Sequence, residues 1–305
     1  MAGRVTLKLS RRIIDAALAA ERDLSSDLSV EDLADYVGVS DKHFQRCFRQ
    51  IFGESPKSYV RRIRLQRSAY FLKWSDVPVI QIAMQAGFRT HAGFTRAFAK
   101  AYALTPQQFR EARDVAPFLS ARELPNQGLD LDHLEASRLI VRVQHRPAWR
   151  VAAMRHIGPV ESMASIWPTM VEWASRQGLL SKDSIFLGIH NDYWDPLAED
   201  KYRYDAAIVV PDDFSEDDFR EDDQVNMITL PASDVAMTEF SGSLRQADDV
   251  WRRFAEQWLP ISGYQIRTVF AYDRYPVDLV TGSVLQNIIK TLMGIRATFC
   301  LPVKK

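Results

Sequence analysis

The chain writes one pattern twice. GVSDKHFQRCFRQIFGESPKSY occupies residues 38–59, and GFRTHAGFTRAFAKAYALTPQQF occupies residues 87–109. Val30, Leu33, Ala34 and Gly38 recur as Val79, Ile82, Ala83 and Gly87, 49 residues later. One extra residue, Arg89, then shifts the offset to 50. Ser40, Phe44, Arg46, Phe48, Phe52, Pro56 and Tyr59 recur as Thr90, Phe94, Arg96, Phe98, Tyr102, Pro106 and Phe109. Polar, aromatic and turn positions repeating together mark two copies of one supersecondary unit rather than low complexity.

Each copy reads as helix, tight turn, helix. Ser29 stands where an N-cap belongs, with Asp32 three residues on. Leu33, Ala34 and Val37 make an apolar stripe, and Gly38 supplies the turn conformation that a Cβ disfavours. Ser40 opens the next helix. Phe44, Cys47, Phe48 and Ile51 form its inner face; Lys42, Gln45, Arg46 and Arg49 form its outer face. In the second copy residues 79–86 are the support helix, and Thr90 opens a helix from His91 to about Ala101. Phe94, Ala97 and Phe98 point inward there, and His91, Ala92, Thr95 and Arg96 outward. Between the copies, SPKSYVRRIRLQRSAYFLKWS has no breaker after Pro56, a favoured first helical position. It reads as one long helix with Tyr59, Ile63, Leu65, Ala69 and Leu72 inward. Arg61, Arg62, Arg64 and Arg67 are left for solvent or phosphate.

The formal net charge is zero, but residues 1–115 carry 19 Lys+Arg against 12 Asp+Glu, and the remainder 20 against 27. A basic half joined to an acidic half points to a polyanion as partner of the first. Helix-turn-helix units seat their second helix in the major groove, and two held about one helical turn apart read a longer site than one. Arg46 suits bidentate bonding to guanine and Gln45 to adenine. Lys42, His91, Thr95 and Arg96 are candidate base or phosphate contacts; Arg49, Arg61 and Arg62 are candidate phosphate contacts.

Residues 8–113 resemble the AraC/XylS family of transcription regulators. The resemblance rests on LSVEDLADYVGVSDKHFQRCFRQIFGESPKSYVRRIRLQRSAYFL and on VPVIQIAMQAGFRTHAGFTRAFAKAYALTPQQFR, the latter close to the family signature. It implies two motifs joined by a rigid helix, double-stranded DNA as partner, and activation through RNA polymerase. The sequence departs at Ala103, where the family usually has glycine, and at Ala92 and Gly93, where longer polar residues are common. Short side chains there imply weaker base readout by the second motif.

Residues 114–137, with two prolines and a glycine, read as a linker between a DNA-binding domain (1–113) and an effector domain (138–305). The latter holds a second duplication. VAAMRHIG (151–158) echoes VAMTEFSG (235–242) at an offset of 84, as Trp167 echoes Trp251 and Phe186 echoes Phe270. AAIVVP (206–211) echoes ATFCLP (297–302). The expected fold class is multidomain: an all-α double helix-turn-helix domain, then an α+β domain of two strand–helix–strand–strand repeats.

Over about residues 138–304 the chain resembles the GyrI-like effector domain, through RYDAAIVVP, a glycine after each first strand, WLPISGY and YDRYP. That resemblance implies a pseudo-twofold fold with a small-molecule ligand between the halves, against aromatic walls. It also implies a glutamate two residues before the tyrosine matching Tyr272. Phe270 stands there, so an apolar floor and a preference for neutral or weakly polar amphipathic ligands are expected. Tyr193, Trp194, Phe270, Tyr272 and Tyr275 are the ligand candidates. Asn191, Asp192 and Asp273 are open to two readings, ligand-orienting groups or turn caps, of which the turn cap is favoured. Trp149, Trp167, Trp173, Trp251 and Trp258 read as core.

Other classes find less support. No apolar run reaches the roughly 20 residues of a membrane span, and MAGRVTLKLSRR lacks a signal-peptide core. Cys47 and Cys300 have no CxxC or Cys/His neighbours, which fits buried thiols in a reducing cytoplasm. DDFSEDDFREDD (212–223) lacks the glycine and spacing of a calcium loop. No nucleophile–base constellation stands out. The chain therefore reads as a cytoplasmic regulator rather than an enzyme, with no metal or cofactor. The alternatives are a small-molecule hydrolase and a protein-interaction module in the C-terminal half.

Overall fold

The computed structural model describes residues 6–22, 24, 29–112, 139–192, 200–215, 219, 224–242, 244–267, 271–276 and 295–305. The linker expected at 114–137 lies outside them. Seven helices fill the first described part: α1 (Leu7–Arg22), α2 (Val30–Val37), α3 (Asp41–Phe52), α4 (Pro56–Trp74), α5 (Val79–Gln85), α6 (His91–Tyr102) and α7 (Pro106–Glu111).

Local chemistry sets the helix ends. Ser29 and Asp32 close the capping box on α2. Gly38 and Gly87 take left-handed φ values of 68° and 69° at the two motif turns. Ser55 caps α4, with Pro56 in its first turn. Ser40 sits at the N-cap of α3 without a side-chain bond, whereas the Thr90 hydroxyl accepts from the Gly93 amide. Both motifs then pack alike. Phe44–Phe48 and Phe94–Phe98 have centroids 5.5 and 5.6 Å apart, both tilted by 53°. Phe48–Tyr59 and Phe98–Phe109 both meet edge-on at 5.3 Å and 78°. α4 serves both cores, burying Tyr59 and Ile63 in the first and Leu65, Ala69 and Leu72 in the second.

The second part is one nine-stranded antiparallel sheet backed by helices. Its elements are β1 (Arg142–Arg146), β2 (Trp149–Gly158), α8 (Trp167–Arg176), β3 (Phe186–His190), β4 (Tyr202–Val209), β5 (Asn226–Leu230), β6 (Ser233–Gly242), α9 (Leu244–Arg253), α10 (Leu259–Ser262), β7 (Gln265–Ile266), β8 (Ala271–Tyr275) and β9 (Ile295–Lys304). A π-helical turn, Phe254–Trp258, joins α9 to α10. The strand order β1-β6-β9-β8-β3-β4-β2-β5 is two equivalent halves meeting at β8 and β3. The repeats are thus β2-α8-β3-β4 and β6-α9-β8-β9. The halves also exchange their edges: β1 precedes β2 but pairs with β6, and β5 precedes β6 but pairs with β2. Trp167 and Trp251, the matched helix-bearing tryptophans, are both buried on the helix-covered face.

Candidate nucleic-acid interface and ligand face

On α3 the spacing of Phe44, Cys47, Phe48 and Phe52 turns one face inward. Lys42, Gln45, Arg46 and Arg49 are exposed on the other. With Gln50 they bound a surface concavity of roughly 400 Å³. Three cations and two amides on one helix face provide donors for phosphates and for guanine and adenine edges. On α6, His91 and Arg96 are exposed in the expected way. Thr95 differs: its hydroxyl is buried and without a hydrogen-bond partner, so the outward expectation fails for that group in this rotamer. The face α6 presents is made by Ala92, Arg96 and Lys100, all exposed. It has less reach than α3.

The arginines of α4 divide. Arg61 is exposed. Arg62 is not available to phosphate as expected: its side chain is 10% exposed, 2.8 Å from Glu54 and 3.8 Å from Asp192. Arg64 donates to the Leu24 carbonyl at 2.9 Å, and Arg67 to the Glu21 carbonyl at 3.3 Å. These arginines hold the end of α1 rather than facing solvent.

Of the ligand candidates, Tyr193, Trp194 and Phe270 lie outside the described residues. Tyr272 and Tyr275 do not share a wall. Strand alternation sends them to opposite faces of the sheet: Tyr272 packs with Leu187, Ile189 and Cys300, Tyr275 on the helix side with Trp167 and Tyr204. Burial pushes the Tyr272 hydroxyl and the Cys300 thiol well up from their usual ranges.

On the helix side stands a polar cluster around Asp273, a residue that the sequence offers as a turn cap or a ligand-orienting group. His190 Nε2 lies 2.8 Å from Asp273 Oδ2, and His190 Nδ1 2.6 Å from the Tyr202 hydroxyl. Tyr275 donates to Asp273 Oδ2 at 3.0 Å, and Trp167 Nε1 donates to the Tyr204 hydroxyl at 3.1 Å. Burial and the Asp273 charge raise the Tyr275 hydroxyl pKa far above its usual value. Asp273 Oδ1 is buried and has no hydrogen-bond partner. The apolar floor expected from Phe270 lies outside the described residues; the described part of this face holds a buried carboxyl oxygen without a partner among aromatic rings. Leaving such an acceptor unmatched costs about 1–3 kcal/mol, so the site is suited to a donor.

A second polar cluster was missed altogether, and it joins the two parts of the chain. Glu21, at the end of α1, is buried and accepts from the Tyr59 hydroxyl on α4. It also faces Arg155 on β2 at 3.1 Å and Arg203 on β4 at 2.8 Å. Arg155 is bound in turn by Asp205, and Arg203 by Asp192 at 2.6 Å. Burial alone would raise the Glu21 carboxyl, but Arg155, Arg203 and the Tyr59 hydroxyl outweigh it and hold the pKa at about 2. The available signal was the presence of Arg155, Arg203 and Asp205 inside otherwise apolar strands.

Comparison with known proteins follows the same division. Residues 33–112 match a family model described as a helix-turn-helix domain. Residues 141–292 match one described as a GyrI-like small molecule binding domain. The chain is similar to the right origin-binding protein of Escherichia coli strain K12, 35% identical over 106 residues, which are 35% of this chain and 37% of that protein. It is similar to an uncharacterized HTH-type transcriptional regulator of Haemophilus influenzae, 33% identical over 102 residues, 33% of this chain and 34% of that protein. The match thus spans about a third of the length of these relatives. The chain is also similar to the probable transcription factor PqrA of Proteus vulgaris, 34% identical over 94 residues, 31% of this chain and 77% of that protein.

Proposed function

Since the chain belongs to the AraC/XylS family and carries a GyrI-like domain, we propose that it is a sequence-specific DNA-binding transcription regulator controlled by a small molecule. The duplicated helix-turn-helix carries this reading, above all the exposed Lys42, Gln45, Arg46 and Arg49 on α3. Arg46 and Gln45 read base edges; Lys42, Arg49 and Arg61 bind phosphates; His91 and Arg96 add contacts from α6. Activation through RNA polymerase is the corresponding mode of action, supported by the family relationship. Two buried free thiols support a reducing cytoplasm as its setting.

The ligand face is the aromatic cluster of Trp167, Tyr204 and Tyr275 around Asp273. Its vacant Oδ1 favours an amphipathic aromatic molecule that brings an N–H, an O–H or a positive charge. The hydrolase alternative is not favoured: the relatives described above are named as a transcriptional regulator, an origin-binding protein and a transcription factor, none as a hydrolase. Two measurements test the reading. Selection from a random duplex pool by the full chain should return a preferred sequence. Fluorescence titration should show an aromatic cation binding more tightly than its neutral isostere, with Asp273→Asn removing the preference. A chain that selects no sequence is not a sequence-specific regulator, and a preference for the neutral isostere would remove Asp273 from the ligand face.

A further inference from the structure

β4 begins Tyr202-Arg203-Tyr204-Asp205, and alternate residues in a strand face opposite ways. The two tyrosines reach the ligand face: Tyr202 binds His190, and Tyr204 binds Trp167 and lies 3.5 Å from the Tyr275 hydroxyl. The arginine and aspartate reach the other domain. Arg203 meets Glu21 at 2.8 Å, and its guanidinium lies over the Tyr59 ring at 5.7 Å. Asp205 holds Arg155, which holds Glu21.

The end of β3 links the same two faces. His190 binds Asp273 on the ligand side. Asn191 donates to Asp205 at 2.9 Å, and Asp192 accepts both the backbone amide and the guanidinium of Arg203 at 2.8 Å. Asp192 also faces Arg62 on α4 at 3.8 Å. Around this junction four carboxylates (Glu21, Glu54, Asp192, Asp205) meet three guanidiniums (Arg62, Arg155, Arg203), and Arg67 donates to the Glu21 backbone carbonyl. Burial makes the arrangement demanding. A charge that loses its partner here is left uncompensated in a buried site, so the network has few acceptable geometries.

Apolar contacts add to the junction beside it. Ile157 of β2 packs into the core of the first motif, and Tyr70 and Trp74 of α4 pack against the β6–β9 half. Glu21, Tyr59 and Arg62 belong to α1 and α4, the helices against which α3 is seated.

We propose that β4 and residues 190–192 form a coupling element through which the ligand face and the first DNA-reading motif sense each other's occupancy. Displacing His190 or Tyr202 on one side moves Arg203 and Asp192 on the other, and these set the position of α1 and α4 beneath α3. The coupling is reciprocal, so DNA on α3 alters the ligand face by the same factor that a ligand there alters DNA affinity. The proposal rests on the reading of the chain as a DNA-binding regulator, and it can be tested without a ligand.

The test is hydrogen exchange of the full chain, with and without a duplex selected by that chain from a random pool. Duplex binding is expected to slow exchange in residues 41–52 and, remotely, by about 5-fold or more in residues 186–192 and 202–209. Tyr59→Phe keeps the ring packing on Phe48 and Phe52 but removes the bond to Glu21; Glu21→Gln neutralises the carboxylate and keeps an acceptor. Both variants, folded by circular dichroism, should retain the protection of 41–52 and lose most of the remote change. Duplex binding with no remote change in the native chain, or the same remote change in both variants, overturns the coupling and leaves the regulator reading intact. Failure to select any duplex overturns both.

Discussion

The two helix-turn-helix motifs have cores of the same build and differ in what surrounds them. Their aromatic pairs agree in distance and angle at Phe44–Phe48 and Phe94–Phe98 and at the edge-on Phe48–Tyr59 and Phe98–Phe109. Outside the core they diverge. The first presents Lys42, Gln45, Arg46 and Arg49; the second presents His91, Ala92, Arg96 and Lys100, with the Thr95 hydroxyl turned in. Only the first core takes in a residue from the sheet, Ile157; the described side chains packed on the second core all come from residues 65–109. The duplication is thus divided. One motif carries three cations and an amide on its outer helix face, and its core takes in Ile157. The other has fewer long polar side chains, and beside it α4 meets the sheet through Tyr70 and Trp74. Core identity follows from folding, whereas surface identity is free to change.

Breaking the Glu21 junction should have the largest effect. Arg203→Leu leaves Glu21 and Asp192 buried with half of their compensation, and should cost about 3–5 kcal/mol in chemical denaturation. No such loss is expected from charge removal on α6. The pH dependence sharpens this. The Glu21 carboxyl is depressed in the folded chain, so its contribution is fully present above about pH 4.5 and lost as pH falls towards about 2. Glu21→Gln should therefore be less stable than the native chain at pH 6, with the gap closing across that window in urea titrations. A gap independent of pH would mean that Glu21 is not ionised at the junction.

The readers come next. Arg46→Ala should cost about 1–3 kcal/mol on the preferred duplex and relax one base position. Arg96→Ala, its equivalent on α6, should cost less and shift specificity less, as read by fluorescence anisotropy on a panel of single-base variants. Equal losses would erase the division between the motifs.

Smaller still is the difference at the helix ends. Gly53 and Ala103 end α3 and α6 in the same left-handed conformation, with φ of 68° and 57°. Ala103 is the one non-glycine residue with positive φ among those described. Gly53→Ala should lower stability by about 1–2 kcal/mol, and Ala103→Gly should raise it by up to about 1 kcal/mol. Thermal melts of the two variants check the signs. The smallest effect belongs to Arg61→Ala, which should weaken all duplexes alike and reduce the slope of log K against log salt by about 1.

Much of this fold is legible in the sequence because its signals are local. Capping serines and threonines, the glycine turns and the periodic aromatics each act within one helix or turn. The offset of 84 exposes the second duplication, although the exchanged edge strands RVQHR and NMITL share that offset without sharing residues, since edge positions are only partly buried. The junction was not legible for a different reason. Arg62, Arg64 and Arg67 lie on a helix enclosed on several sides, and Arg62 and Arg67 join a cluster whose other charges include residues more than 100 positions away. No periodicity within α4 separates an arginine that meets phosphate from one that meets Asp192. The strand YRYD held the clue: charges alternating with tyrosines in a buried strand need partners on a second face.

We propose that the chain reads DNA with two unequal helices, α3 and α6. Selection from a random duplex pool by the full chain, followed by the same selection with Arg46→Ala, tests it most directly. The predicted result is a site of two half-sites about one helical turn apart. One half should be strongly specified and lose a base preference in Arg46→Ala; the other should be weakly specified and unchanged. Two half-sites of equal information, or a site that Arg46→Ala leaves intact at every position, would contradict it.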